Sequence, residues 1–86
     1  MITIYTKQDC VYCTRAKTLM KSRQIPFIEQ KLDQDFTIEE FTSSFPGRRT
    51  FPLIMNNNYT VGGYVELVEA VGHNPDFGKM ILNEGI

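Results

Sequence analysis

Hydrophobic and polar positions change their period several times along the chain, and each change predicts a new element. The β-branched and aromatic run at residues 2–6 predicts a strand. From residue 11 to about residue 23 apolar side chains recur on one helical face, which predicts a helix. Pro26 follows it, and the imperfect alternation over residues 27–32 predicts a second strand. This order indicates a β-α-β unit, whose strands we expect to be parallel and joined by a right-handed crossover.

A second helix is predicted at residues 37–45, after a polar turn at residues 33–35. Thr37 is followed three residues later by Glu40, which is the spacing of a capping box. In that arrangement each side chain bonds the backbone N–H of the other residue. The Pro-Gly pair at 46–47 is expected to end the helix.

An antiparallel hairpin is predicted next, from strands at residues 51–55 and 59–61. The three asparagines at residues 56–58 suit the turn between them, because Asn tolerates positive φ. Apolar residues at helical spacing then predict a third helix over residues 64–71, which we expect Gly72 to end.

The predicted order is β-α-β-α-β-β-α, which indicates the α/β class with a mixed four-stranded sheet flanked by helices. No linker or internal repeat interrupts the pattern, so residues 1–86 are expected to form a single domain. The tail is less regular, and one or two helical turns are predicted at residues 77–82.

Charge and hydropathy narrow the classes of partner. The formal net charge is −1, which gives no bulk electrostatic reason to bind nucleic acid or a membrane. Bases are concentrated in residues 1–31, the part that holds the cysteines, whereas residues 32–47 carry acids and no base. No apolar run approaches the roughly 20 residues that span a bilayer, and no secretory signal precedes the first strand. We therefore expect a soluble, cytoplasmic protein. We also expect it to be a monomer.

The candidate chemistry lies in Cys10 and Cys13, which stand at the start of the first predicted helix. Free helical N–H groups and the helix dipole favour a thiolate there. Cysteines of such CxxC pairs have pKa values of roughly 3.5–7 instead of about 8.5, and Lys7 adds a nearby positive charge. We expect Cys10 to attack an external disulfide and Cys13 to resolve the mixed disulfide that results.

The cysteine pair has four other interpretations. A zinc site needs about four ligands, and His73 is the only histidine, so no monomeric metal site is predicted. A structural staple is a poor explanation, because so small a loop restrains the unfolded chain little. An inert buried pair and an iron–sulfur cluster shared by two monomers both stay open at this point.

Three segments together resemble the glutaredoxin family over nearly the whole chain. Residues 6–13 are similar to its active-site loop, residues 49–52 to its Thr-Val-Pro segment, and residues 61–66 to its Gly-Gly segment with the acid that follows. The resemblance implies a thioredoxin-like fold and glutathione as the electron donor, with no permanently bound cofactor. It also implies that ribonucleotide reductase is among the disulfide-containing protein substrates.

The resemblance further implies roles for individual positions. Cys10 matches the nucleophile and Cys13 the resolving cysteine, and Pro52 matches a proline that follows a cis peptide bond. The Phe51 backbone would pair with extended glutathione, and Glu66 would meet the free amine of the ligand. The implied glutathione groove consists of Lys7, Tyr12, Arg49, Thr50, Phe51, Pro52, Gly63, Tyr64, Val65 and Glu66.

Two positions depart from the family pattern. Val11 replaces the usual proline, which removes a restriction on φ in the active-site loop. Val65 stands where many members carry a hydroxyl or an acid, which removes one hydrogen bond to glutathione. Both departures keep open a protein recharged by thioredoxin reductase, and the loss of the proline at Val11 favours a dimeric iron–sulfur module. A domain used only for docking is a third alternative, against which the intact CxxC pair argues.

Overall fold

The computed structural model describes residues 1–79, and its elements follow the predicted order. They are β1 (Ile2–Thr6), α1 (Val11–Ser22), β2 (Phe27–Lys31), α2 (Ile38–Ser44), β3 (Leu53–Asn56), β4 (Tyr59–Gly62) and α3 (Tyr64–His73). Of the helical turns predicted at residues 77–82, residues 77 and 78 lie in a turn, and residues 80–82 fall outside the described residues. Among the described helices, none is long and apolar enough to cross a membrane.

The four strands form one mixed sheet in the order β2-β1-β3-β4. β1 runs parallel to β2 and antiparallel to β3, and β3 is antiparallel to β4. The hairpin turns at Asn57, whose φ of 55° is the positive value that the asparagine run predicted. Ile54 pairs with Gly62 whereas Met55 pairs with Thr60, so Val61 is an extra residue in the ladder and forms a bulge. The predicted four-stranded α/β sheet is confirmed.

The start of α2 shows a local sequence signal that predicts a helix boundary correctly, and the end of α3 shows one that does not. The capping box of α2 is present: Thr37 N–H donates to Glu40 Oε1 at 2.8 Å, and Glu40 N–H donates to Thr37 Oγ1 at 3.1 Å. The predicted stop at Gly72 is wrong, because α3 continues to His73 and the Asn74 N–H still bonds Ala70 O. A glycine within a helix lowers its stability by only about 1 kcal/mol, which packing overrides.

The main core lies between the sheet and the two helices α1 and α3. Strand alternation turns Ile2, Ile4 and Thr6 toward these helices. The side chains that are buried together there are Ile2, Ile4, Ala16, Met20, Ile25, Ile54, Leu67 and Val71. The face of α1 predicted to be apolar is therefore the face that packs on the sheet.

The opposite face of the sheet is covered by an aromatic cluster, formed by Tyr5, Phe36, Phe41, Phe45 and Phe51. Phe41 of α2 is its buried centre, with 2% exposure. Its ring centroid lies 4.8 Å from that of Phe51 and 5.2 Å from that of Phe45. The cluster therefore joins α2 to the segment that precedes β3.

Candidate active site

Cys10 lies at the N-cap of α1, immediately after the loop that leaves β1. It forms a disulfide with Cys13, and the two Cα atoms are 5.2 Å apart, within the range that such bonds need. Cys10 Sγ also accepts a hydrogen bond from the Cys13 N–H at 3.1 Å. The sulfur thus takes the place of the usual capping oxygen at a free helical N–H.

The two cysteines differ in their access to solvent. Cys13 is buried, with 2% exposure, whereas Cys10 is only partly buried. The first turn of α1 contains no acid, so no carboxylate there opposes a thiolate at Cys10. An external disulfide can reach Cys10 but not Cys13, which is the asymmetry that the two predicted roles require.

A second segment, distant from Cys10 in the sequence, lies beside it in the fold. Cys10 Sγ lies 3.8 Å from the carbonyl oxygen of Phe51. The Phe51–Pro52 peptide bond is cis, as the family resemblance implied. The residues before β3 are therefore brought beside the sulfur, although they stand about 40 positions later in the chain.

A groove of about 360 Å³ opens beside this segment and the start of α3. It brings together the predicted residues of the glutathione groove, apart from Lys7 and Arg49. Its lining consists of Tyr12, Arg48, Thr50, Phe51, Pro52, Gly63, Tyr64, Val65 and Glu66. The Tyr12 and Tyr64 rings lie 5.6 Å apart, and Val65 adds an apolar side chain at 61% exposure.

Arg48, and not the predicted Arg49, lines the groove. Its guanidinium Nη2 would lie 3.3 Å from a Cβ at Gly63, so the cation reaches the N-terminus of α3. Arg48 Nε is buried and has no hydrogen-bond partner among residues 1–79. The sequence carries two consecutive arginines at this point, and no local signal distinguishes the one that turns inward.

Glu66 is engaged with the chain itself. Its Oε1 accepts a hydrogen bond from the Gly63 N–H at 2.8 Å. Gly63 has no side chain that could accept the Glu66 N–H in return, so only one of the two bonds of a capping box forms. This hydrogen bond, the Glu66 N–H and the nearby Arg48 charge lower the pKa of the Glu66 carboxyl, despite its desolvation. Gly62 has φ of 125°, and a Cβ there would lie 2.8 Å from Glu66 Cγ, so this approach requires glycine.

A separate cavity of about 500 Å³ lies against both cysteines and is called the cysteine cavity below. The predicted groove residue Lys7 lies here. The lining of the cysteine cavity is Lys7, Gln8, Asp9, Cys10, Val11, Cys13, Thr14, Lys17, Glu29 and Lys31. Sequence reasoning missed Lys17 and Glu29, because they meet only when α1 packs on β2.

Glu29 is the centre of a polar network in this cavity. The Thr6 hydroxyl donates to Glu29 Oε2 at 2.7 Å, and Lys17 Nζ donates to Oε1 and Oε2 at 3.2 and 3.1 Å. Burial acts to raise the pKa of Glu29 and is the largest single influence. The hydrogen bonds from Thr6 and Lys17 and the charges of Lys17 and Lys31 together outweigh it and lower the pKa.

Within residues 1–79, no three side chains of His, Cys, Asp and Glu gather closely enough to hold a metal ion. The charged groups around the two sulfur atoms are instead three cations, from Lys7, Lys17 and Lys31, and two carboxylates, from Asp9 and Glu29. Such an arrangement can exchange disulfides and can bind an anionic peptide beside the reacting sulfur.

Comparison with known proteins supports this chemistry. The Glutaredoxin family model matches residues 2–60, which include both cysteines. A probable glutaredoxin from Synechocystis is 39% identical over 67 residues, covering 77% of this chain and 62% of the relative, under two thirds of its length. Glutaredoxin 3 of Escherichia coli is 36% identical over 66 residues, covering 77% of this chain and 80% of the relative.

Solved structures share the fold. Glutaredoxin 1 from Francisella tularensis, crystallised with cacodylate, has a TM-score of 0.70 at 26% identity, over 84% of this chain and 92% of that one. A buckwheat glutaredoxin–glutathione complex has a TM-score of 0.74 at 22% identity, over 86% of this chain and 70% of that one. The fold of this chain is thioredoxin-like.

Proposed function

Because this chain belongs to the glutaredoxin family, whose members are thiol–disulfide oxidoreductases, we propose that it reduces protein disulfides and glutathione mixed disulfides with electrons from glutathione. The observation that carries the proposal is the placement of Cys10. Its sulfur lies at a helix N-cap, bonded to the buried Cys13 and 3.8 Å from the carbonyl oxygen of Phe51, which lines the groove.

The proposed reaction has two sulfur transfers. The Cys10 thiolate attacks one sulfur of the substrate disulfide, and the other substrate sulfur leaves as a thiolate and takes a proton from water. Cys13 then loses its proton and attacks Cys10 Sγ, which forms the Cys10–Cys13 disulfide and releases the reduced substrate. Two glutathione molecules return the pair to the dithiol and leave as glutathione disulfide, so two electrons are transferred in each cycle.

The groove offers three kinds of contact for an extended, anionic peptide such as glutathione. The Phe51 backbone lies at one wall, where main-chain pairing is expected. The N-terminus of α3 and the Arg48 guanidinium present positive charge at another wall, which suits a carboxylate. Glu66 Oε1 already accepts the Gly63 N–H, so we assign the ligand amine to the second oxygen of this carboxylate.

The protein substrates remain a separate part of the proposal. Ribonucleotide reductase is the substrate that the family resemblance suggests, and we propose that the protein acts on it as a monomer in the cytoplasm. The reason for this compartment is chemical: the pair must be reduced again after each cycle, and a thiol-rich compartment supplies the reductant.

A coupled assay tests the electron donor. The protein is supplied with a mixed disulfide of glutathione and a small thiol, glutathione, glutathione reductase and NADPH, and NADPH oxidation is followed. We expect turnover with this system, and little turnover when thioredoxin reductase replaces glutathione and its reductase. Turnover only with thioredoxin reductase would overturn the glutathione assignment and leave the oxidoreductase chemistry intact.

The two adjacent arginines provide a matched test of the groove. Arg48→Met is expected to raise the KM for glutathione by about tenfold, because a charge-assisted hydrogen bond to a carboxylate contributes about 1.5–3 kcal/mol. Arg49→Met removes the same charge at the next position, outside the groove lining, and is expected to raise KM by less than about twofold. A larger effect at Arg49 would return the role to the residue that the family resemblance implied.

A further inference from the structure

We propose that the Lys17–Glu29 ion pair controls how readily Cys13 loses its proton, and so sets the rate of the resolving step. Lys17 favours the thiolate of Cys13, and Glu29 opposes it. The inference rests on the proposed function in one respect, which is the resolving role of Cys13. It concerns side chains that the glutathione groove does not contain.

Helix geometry places Lys17 beside Cys13. The two residues are four positions apart in α1, and such residues lie on the same face with Cβ atoms about 5–6 Å apart. Both line the cysteine cavity, together with Glu29. The Lys17 and Glu29 side chains keep exposures of 28% and 31%, so their charges are only partly screened by water.

Glu29 occupies an unusual place for a carboxylate. The sheet register pairs it with Ile4, so it points to the face covered by α1, where the core begins. The Thr6 hydroxyl is buried at 1% exposure and is committed to Glu29 Oε2. A charged acid on this face must be compensated, and Thr6 and Lys17 provide that compensation. The network therefore fixes one positive and one negative charge at the buried cysteine.

The other charges around the cavity are less well placed to replace this pair. Lys7 and Asp9 come from the loop before α1, on the side of Cys10, and carry opposite charges. Lys31 comes from β2, two residues after Glu29, and contributes to holding that carboxylate ionised. Among the charged residues that line this cavity in the described part of the chain, only Lys17 shares the helix face of Cys13 and also binds Glu29.

The step that the pair would control is the loss of the Cys13 proton. That proton passes to water in the open cavity, and the thiolate attacks Cys10 Sγ in the mixed disulfide. The S–S bond to the substrate breaks as the Cys10–Cys13 bond forms, and the released thiolate takes a proton from water. Below the pKa of Cys13, each unit by which that pKa moves changes the thiolate fraction about tenfold.

The pKa of Cys13 can be measured directly in the Cys10→Ser variant, from the ultraviolet absorbance of the thiolate as a function of pH. In this background, Lys17→Met should raise the pKa of Cys13 by about one unit, and Glu29→Gln should lower it. Lys17→Arg should retain the original value. Lys21→Met removes an exposed lysine one turn further along α1 and should leave the pKa unchanged. The double variant Lys17→Met/Glu29→Gln should return close to the starting value.

The rate of resolution is measured with dithiobis(nitrobenzoate) and the reduced protein with both cysteines present. Cys10 releases one nitrobenzoate thiolate when it attacks, and Cys13 releases the second when it resolves. At neutral pH, Lys17→Met should slow the second release about threefold, because the tenfold loss of thiolate is partly offset by the greater nucleophilicity of a thiolate of higher pKa. Glu29→Gln should accelerate the second release, with the first release unchanged. The matching variants used in the titration serve as controls.

Opposite shifts in the two single variants are what a purely structural salt bridge would not produce. Shifts in the same direction, or no shift in either, would overturn the role of the pair. A complete lack of the second release, with opposite pKa shifts retained, would instead overturn the resolving role of Cys13. Neither experiment contains glutathione, so a failure of the glutathione assignment leaves both results interpretable.

Discussion

Cys10→Ser abolishes disulfide reduction, with an expected loss of at least about a thousandfold in kcat/KM, because removing a nucleophile leaves only binding. Cys10 is the partly exposed sulfur at the helix N-cap, whereas Cys13 is buried at 2% exposure. A hydroxyl at position 10 caps the helix at least as well as sulfur does. The variant should therefore fold normally, and its loss of activity should be chemical. The coupled reductase assay measures it.

The matched variant Cys13→Ser should behave differently. It retains Cys10, so it should attack the substrate and accumulate a mixed disulfide that mass spectrometry detects at Cys10. Reduction of protein disulfides should fall strongly, while reduction of a glutathione mixed disulfide continues, because a second glutathione can replace Cys13. The assigned roles would be reversed by two results together: a mixed disulfide at Cys13 in the Cys10→Ser variant, and no mixed disulfide at Cys10 in the Cys13→Ser variant.

Phe41→Ala should be the most destabilising of the single substitutions in the aromatic cluster. Phe41 is buried at 2% exposure, and its ring lies 4.8 Å from Phe51 and 5.2 Å from Phe45. Truncation of a buried Phe to Ala lowers the free energy of unfolding by about 3–5 kcal/mol. Since 1 kcal/mol changes the Tm of so small a domain by about 4–8 °C, the Tm should fall by at least about 12 °C.

Ile38→Ala is the control for that prediction. Ile38 lies in the same helix but is 43% exposed, so its truncation should cost less than about 1 kcal/mol. Thermal unfolding followed by circular dichroism compares the two variants. Equal losses would show that α2 itself, and not the buried ring, supplies the stability.

Secondary structure could be predicted from the chain because its signals are local. The capping residues Thr37 and Glu40 act three positions apart, and the positive φ at Asn57 depends on one residue type. The failure at Gly72 has the opposite cause: its propensity was outweighed by packing of the helix around it. Elements that bury a regular apolar face were therefore predictable, and so was the capped start of α2, but the residue at which α3 ends was not.

The candidate site was predictable only in part, for a related reason. Cys10 and Cys13 are close in sequence and their chemistry follows from a helix start. By contrast, Arg48 and Arg49 have the same chemistry, and only the course of the backbone before β3 selects the one that lines the groove. The Lys17–Glu29 contact joins residues 12 positions apart in two different elements, and no local sequence pattern predicts it.

The strand order β2-β1-β3-β4 has a consequence for the route of folding. The unit made of β1, α1 and β2 uses neighbouring parts of the chain, and so does the hairpin of β3 and β4. They join only when β1 pairs with β3, as Ile4 does with Ile54, and this closes the longest loop in the sheet. Cys10 meets the Phe51 carbonyl at that same junction. A nascent chain can thus form the cysteine-bearing unit first. It acquires a complete groove only when β1 pairs with β3, and contacts between residues so far apart in sequence form slowly.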